Sequence, residues 1–90
     1  IEKNSILDNL LKVKISPNPF TEVLDIVFSE EIKNKIKIKV YDLMGRLVYD
    51  DELPEVTEHK IHLNSIPNSQ FILRLESEKK YFQTKIIKRK

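Results

Sequence analysis

The stretch IKIKVYDLMGRLVYDDEL, residues 36–53, encodes a β-hairpin together with its turn and carries the one glycine of the chain. Ile36, Lys37, Ile38, Lys39 and Val40 alternate apolar and charged, the period of a strand with one buried and one wet face. Asp42 and Gly45 then take the first and fourth places of a type I turn, where an aspartate caps the backbone and a glycine accepts positive φ. Leu47, Val48 and Tyr49 leave the turn as a β-prone run. Asp50, Asp51 and Glu52 are expected to end the pairing in solvent before Pro54, which has no amide hydrogen for a ladder. Nothing in this stretch is catalytic.

Upstream, residues 1–10 show no clear period and read as a linker, although Leu7, Leu10 and Leu11 could line a short helical turn. Leu11, Val13 and Ile15 alternate with Lys12 and Lys14 as a first strand that ends at Ser16. Pro17, Asn18 and Pro19 form a rigid corner, because two of the three lack an amide hydrogen and hold φ near −65°. Leu24, Ile26 and Phe28 point one way and Val23, Asp25 and Val27 the other, which makes a second strand, and Ser29 to Asn34 reads as a polar connection.

Downstream, Glu55 to Glu58 read as loop, and His59, Ile61 and Leu63 alternate with Lys60 and His62. In the turn from Asn64 to Ser69, Ile66 is expected to tuck under the sheet, with Pro67 setting the turn and Asn68 available for left-handed geometry. Phe71, Leu73 and Leu75 share one face, and a break at Ser77 to Lys80 predicts a second hairpin. Phe82, Thr84 and Ile86 share a face on the return, with Lys85, Ile87 and Arg89 opposite. About seven short strands with turns at regular spacing predict an all-β fold, an antiparallel immunoglobulin-like β-sandwich; a small barrel is the alternative. The expected core is Leu24, Ile26, Phe28, Ile38, Val40, Ile61, Leu73, Leu75 and Phe82.

Ninety residues support one domain, and a chain of this size buries only about 60–65% of its unfolded surface. The chain opens on isoleucine, which reads as a piece of something longer with any targeting signal upstream. No segment is long and apolar enough for a membrane-spanning helix. The lack of cysteine removes disulfides and the commonest structural zinc sites. Sixteen basic and fourteen acidic side chains are interspersed, for a formal charge of +2, which suits a solvated surface rather than a nucleic-acid groove. The exception is the basic C-terminal third, Lys79, Lys80, Lys85, Lys88, Arg89 and Lys90. Lysine is also what edge strands carry against sheet-to-sheet pairing, and Phe71, Tyr81 and Phe82 follow core periodicity rather than a base-stacking platform.

The chemistry-bearing clusters are weak. His59 and His62 occupy odd and even positions of one strand, so they face opposite ways and make no metal pair. Asp50, Asp51 and Glu52 lack the glycine and distant glutamate of a calcium loop. No serine or threonine sits in a nucleophile motif, and one glycine cannot build a phosphate-cradling loop. These observations predict no enzyme, no cofactor, no metal, no nucleic-acid partner and no small-molecule substrate.

Four segments in order, ISPNPF at residues 15–20, IKIKVYDLMGRLVYDDEL at 36–53, LNSIPNSQFILRLES at 63–77 and KIIKRK at 85–90, resemble the C-terminal sorting domain of type IX (Por) secretion system cargo. The resemblance covers residues 11–90 and implies a domain at the end of a larger exported protein of a Gram-negative bacterium. Its implied partners are the outer-membrane translocon and shuttle proteins, a sortase-like peptidase that cuts upstream and joins cargo to a surface glycolipid, and the upstream cargo on the same chain. Its implied route is periplasm, then cell surface or medium. Pro17, Asn18 and Pro19 match the family's corner, Asp42, Gly45 and Val48 its central turn, and Lys85 and Lys88 its basic terminal strand. Where the family has a Gly-X-Tyr step, this chain has Ser69, Gln70 and Phe71, which implies a turn that does not need positive φ and a lost hydroxyl. The rival reading is a fibronectin-like adhesion or carbohydrate-binding module.

Overall fold

Seven strands form where the period of two was read: β1 (Val13–Ser16), β2 (Val23–Ile32), β3 (Ile36–Asp42), β4 (Leu47–Leu53), β5 (Val56–His62), β6 (Gln70–Glu76) and β7 (Tyr81–Ile87). The computed structural model describes residues 11–32, 35–54, 56–78 and 80–89, with side chains except at 30–32, 56 and 57, and none of these residues is helical. The linker expected over residues 1–10 lies outside the described residues. So do Glu55, Lys79 and Lys90.

The strands pair antiparallel into a three-stranded sheet, β1-β2-β5, and a four-stranded sheet, β4-β3-β6-β7. Alternation sends every second side chain into one core between them. Leu24, Ile26 and Ile61 from the first sheet and Ile38, Val40, Leu73 and Leu75 from the second are fully enclosed, Phe28 nearly so, and Phe82 packs half-buried against them. Each such side chain stabilises the fold by about 1.5–3 kcal/mol. Leu11, Phe20, Ile36, Leu53, Leu63, Ile66, Phe71 and Ile86 complete the core.

Three boundaries differ from the sequence reading. β4 does not stop at its carboxylates: Asp50, Asp51 and Glu52 pair with Lys39, Ile38 and Lys37, and the ladder runs on until Leu53 lies opposite Ile36. Both of those end residues are buried, so their apolar contact extends the ladder through the charged run. Opposite charges facing across the strands oppose no pairing. Asp51, on the inward side of an edge strand yet exposed, is the kind of charge that deters a further strand from docking there. Ser29 to Asn34 is not simply a connection either. β2 continues to Ile32, which pairs with Val56 after a bulge that follows Val27. A ladder is made by backbone groups, so a polar run extends a strand wherever a partner strand is in reach. For the same reason β5 begins at Val56, within a stretch read as loop.

Candidate functional site

β1 and β2 both belong to the first sheet, and the corner between them reaches across to β7 of the second. Both Ser16-Pro17 and Asn18-Pro19 are cis peptides. Between them, Asn18 acts as a surrogate strand for β7: its Nδ2 donates to the Lys85 carbonyl at 3.0 Å and its Oδ1 accepts the Ile87 amide at 2.9 Å. Phe20 continues the pairing, its amide donating to the Ile87 carbonyl and its carbonyl accepting the Arg89 amide, each at 2.8 Å. This makes a short parallel bridge opposite Lys88. The Phe20 ring is 1% exposed and plugs that end of the core. At the other end of β7, the Leu11 amide donates to the Tyr81 carbonyl at 2.8 Å. The last strand is therefore covered at both ends by the chain's own first segment, and its edge is not the open one that its lysines suggested.

Lys88 lies inside. Its Nζ donates to the carbonyls of Leu63 at 2.7 Å, Asn64 at 3.2 Å and Ile66 at 2.6 Å. Its amide donates to the Ser69 carbonyl at 2.9 Å. Lys88 is 7% exposed and is the one buried charged side chain among the described residues. Ile66 does tuck under, at 7% exposure. Asn68 does not adopt left-handed geometry, since Gly45 alone has positive φ among the described residues. Ser69 likewise needs no glycine conformation, which explains how this chain dispenses with the glycine of the resembled family.

The β3–β4 turn is built around Asp42. Its carboxylate accepts the amides of Met44 and Arg46 at 2.9 Å through Oδ1 and the Arg46 Nε at 2.8 Å through Oδ2, while its carbonyl accepts the Gly45 amide at 3.0 Å. Gly45, at φ +86°, ends the turn as the left-handed residue of a bulge in which it and Arg46 together face Asp42, whose amide donates to the Arg46 carbonyl at 2.9 Å. A Cβ added there would meet nothing within 4 Å, so substitution strains only the backbone. Gly45→Val is expected to cost about 1–2 kcal/mol, Gly45→Asn less, read as melting temperatures; a valine variant melting with the parent would disprove the turn's dependence on glycine.

Hydrogen bonds from the Arg46 amide, then its guanidinium and the Met44 amide, hold the Asp42 carboxyl below its usual range. A depressed folded-state value means that this carboxylate adds stability above its unfolded value of about 3.9. That contribution disappears as pH falls through the lower folded value. Asp42→Asn keeps an oxygen for the two amides but does not titrate. The parent's melting temperature should thus fall more steeply than the variant's between about pH 4 and pH 2; parallel curves would contradict this.

The corner, the loop and the turn are neighbours. Asp42 pairs with Phe71 and Gln70 with Ile87. A shallow groove between the turn and the loop is lined by Asp42, Met44, Val48, Pro67, Ser69 and Phe71. A family model for the secretion system C-terminal sorting domain matches residues 14–89. The chain belongs to that family. No curated protein sequence matches it significantly.

Within this sorting domain, the residues singled out by resemblance take different positions. Pro17, Pro19, Gly45 and Lys85 are exposed; Val48 is half-buried against the core; Phe71 is 2% exposed and belongs to the core. Asn18 spends its polar atoms on backbone groups of the domain itself, and Asp42 on two backbone amides and the Arg46 guanidinium. Sequence reasoning missed Phe20 as core and missed the apolar turn tip, where Leu43, Met44 and Leu47 are 61%, 82% and 49% exposed. The strand period did hold the signal for Lys88, since Thr84, Ile86 and Lys88 share one face. His59 pairs opposite the buried Ile26 and His62 opposite Val23, on opposite faces as expected. No metal-ligating cluster occurs among the described residues.

One ion-pair cluster lies at the end of the second sheet nearest Leu11. There Arg74 binds Glu76 at 2.6 Å, hydrogen-bonds Gln83 at 3.0 Å and lies 4.9 Å over the Tyr81 ring, while Lys39 reaches Glu76 at 3.7 Å. The Arg74 hydrogen bond lowers the Glu76 carboxyl's pKa.

Proposed function

We propose that this sorting domain is a non-catalytic signal that directs a larger cargo across the outer membrane by the type IX system, where the cargo is cut free and anchored or released. Families of this kind are generally non-catalytic, and membership implies an upstream cargo, association with the secretion machinery and export to the cell surface or medium. The observation that carries the reading is the family match, joined to the gathering of its motif segments at one end of the molecule. The chain enters β1 beside Tyr81, at the opposite end. That polarity leaves the corner, the turn tip and the loop free to meet the translocon or a shuttle protein while cargo is attached behind. The strand order supports an immunoglobulin-like layout.

The test is a reporter fused ahead of the domain in a host that has the secretion system, followed by cell fractionation. The intact fusion should reach the surface and a fusion lacking residues 11–90 should stay inside. Replacing exposed Leu43, Met44 and Leu47 with serine should leave stability within about 0.5 kcal/mol but reduce delivery, because exposed apolar side chains on a turn tip serve contact rather than folding. Lys85→Gln with Arg89→Gln tests the displayed cations of the last strand in the same way. Surface delivery of the domain-less reporter at the intact level would refute the sorting role.

A further inference from the structure

Lys88 combines two features that a displayed cation does not have, burial and a ring of carbonyls around its ammonium, with a backbone anchor of its own. Its side chain is 7% exposed, its ammonium contacts three backbone carbonyls, and its own amide binds a fourth. The ion pairs among the described residues do not include it. The three carbonyls come from a tight loop that folds Ile66 inward, and buried carbonyls need a donor. An ammonium offers three donors from a single atom, which matches three convergent acceptors one for one. The Phe20 bonds to Ile87 and Arg89 bracket Lys88 and hold its backbone in place.

We infer that Lys88 is a positioning residue: its buried ammonium ties the last strand to the Leu63–Ile66 loop and so sets that loop against the turn on the face offered to the export machinery. The inference rests on the sorting reading for its functional half only. It separates the two terminal-strand lysines, Lys85 outside and Lys88 within, and predicts that charge at position 88 is insufficient without the geometry of an ammonium. Arginine keeps the charge but replaces a compact three-donor group with a planar fork, which cannot aim at three carbonyls from one point.

Three measurements on the 90-residue chain and its reporter fusion test this. In the parent, nitrogen-detected NMR should find the Lys88 ammonium protected from hydrogen exchange at neutral pH, unlike that of Lys85; equal exchange would overturn the proposal even if every variant failed to fold. Lys88→Ala should melt roughly 10 °C lower, with amide shifts concentrated at residues 63–69. Methylammonium should restore part of that loss, and tetramethylammonium, which has no N–H, should not; equal rescue by both would overturn the hydrogen-bonding role. In the fusion, Lys88→Arg should lose surface delivery as Lys88→Ala does. Delivery of the arginine variant at the parent's level would mean that charge alone suffices and would defeat the positional assignment. Should the domain-less fusion also reach the surface, the sorting reading fails, and the exchange and melting results still judge Lys88 by themselves.

Discussion

Phe20→Ala should destabilise the sorting domain by about 3–5 kcal/mol, the range for an enclosed phenylalanine whose cavity cannot fully collapse. Its ring is 1% exposed, and its backbone makes two of the bonds that hold the corner to the last strand. The cavity would open where the corner between β1 and β2 pairs with the last strand, among residues that also position Asn18 and Lys88. Single domains have only about 5–15 kcal/mol in hand, so this one change removes a large part of the total. Urea unfolding should show a lower midpoint with an unchanged slope, since the surface exposed on unfolding is nearly the same. A loss below about 1 kcal/mol would place Phe20 outside the group of core-forming residues.

Deleting Ile86 to Lys90 should have a larger effect and abolish cooperative melting at room temperature. The deletion removes Ile86, 0% exposed, worth about 1.5–3 kcal/mol by burial alone. It also removes Ile87 and Arg89, which anchor Asn18 and Phe20, and Lys88, which satisfies three loop carbonyls. The corner would lose its partner strand, and the loop carbonyls would lose their donor in the same step, so the losses reinforce one another. Retention of the truncated fusion inside the cell would follow from unfolding, whatever the machinery reads. Thermal melting by circular dichroism decides the matter: a truncated chain with a cooperative transition near the parent's would show that β7 can be shortened without releasing the corner. The Lys85→Gln, Arg89→Gln pair is the gentler probe, because both side chains are exposed and the backbone bonds beneath them stay.

What the amino-acid sequence determined by itself is local. A period of two fixes which side chains of a strand share a face, so Leu24, Ile26, Ile38, Val40, Leu73 and Leu75 could be assigned to a core without knowing the sheets. An aspartate three residues before a glycine specifies its turn through bonds that span four residues or fewer, from Asp42 to Arg46. The pattern even put Lys88 on the face of Ile86. Tertiary structure decided what those faces meet. Asn18 binds backbone groups 67 and 69 residues away, and the carbonyls around Lys88 come from 22 to 25 residues back. No local pattern encodes such distant partners, so the tail read as a displayed basic edge, although that edge is covered at both ends and one of its lysines is internal. Strand ends were misjudged for a related reason: ladder bonds join main-chain groups, which look alike beneath every side chain, and a strand continues as far as its neighbour does.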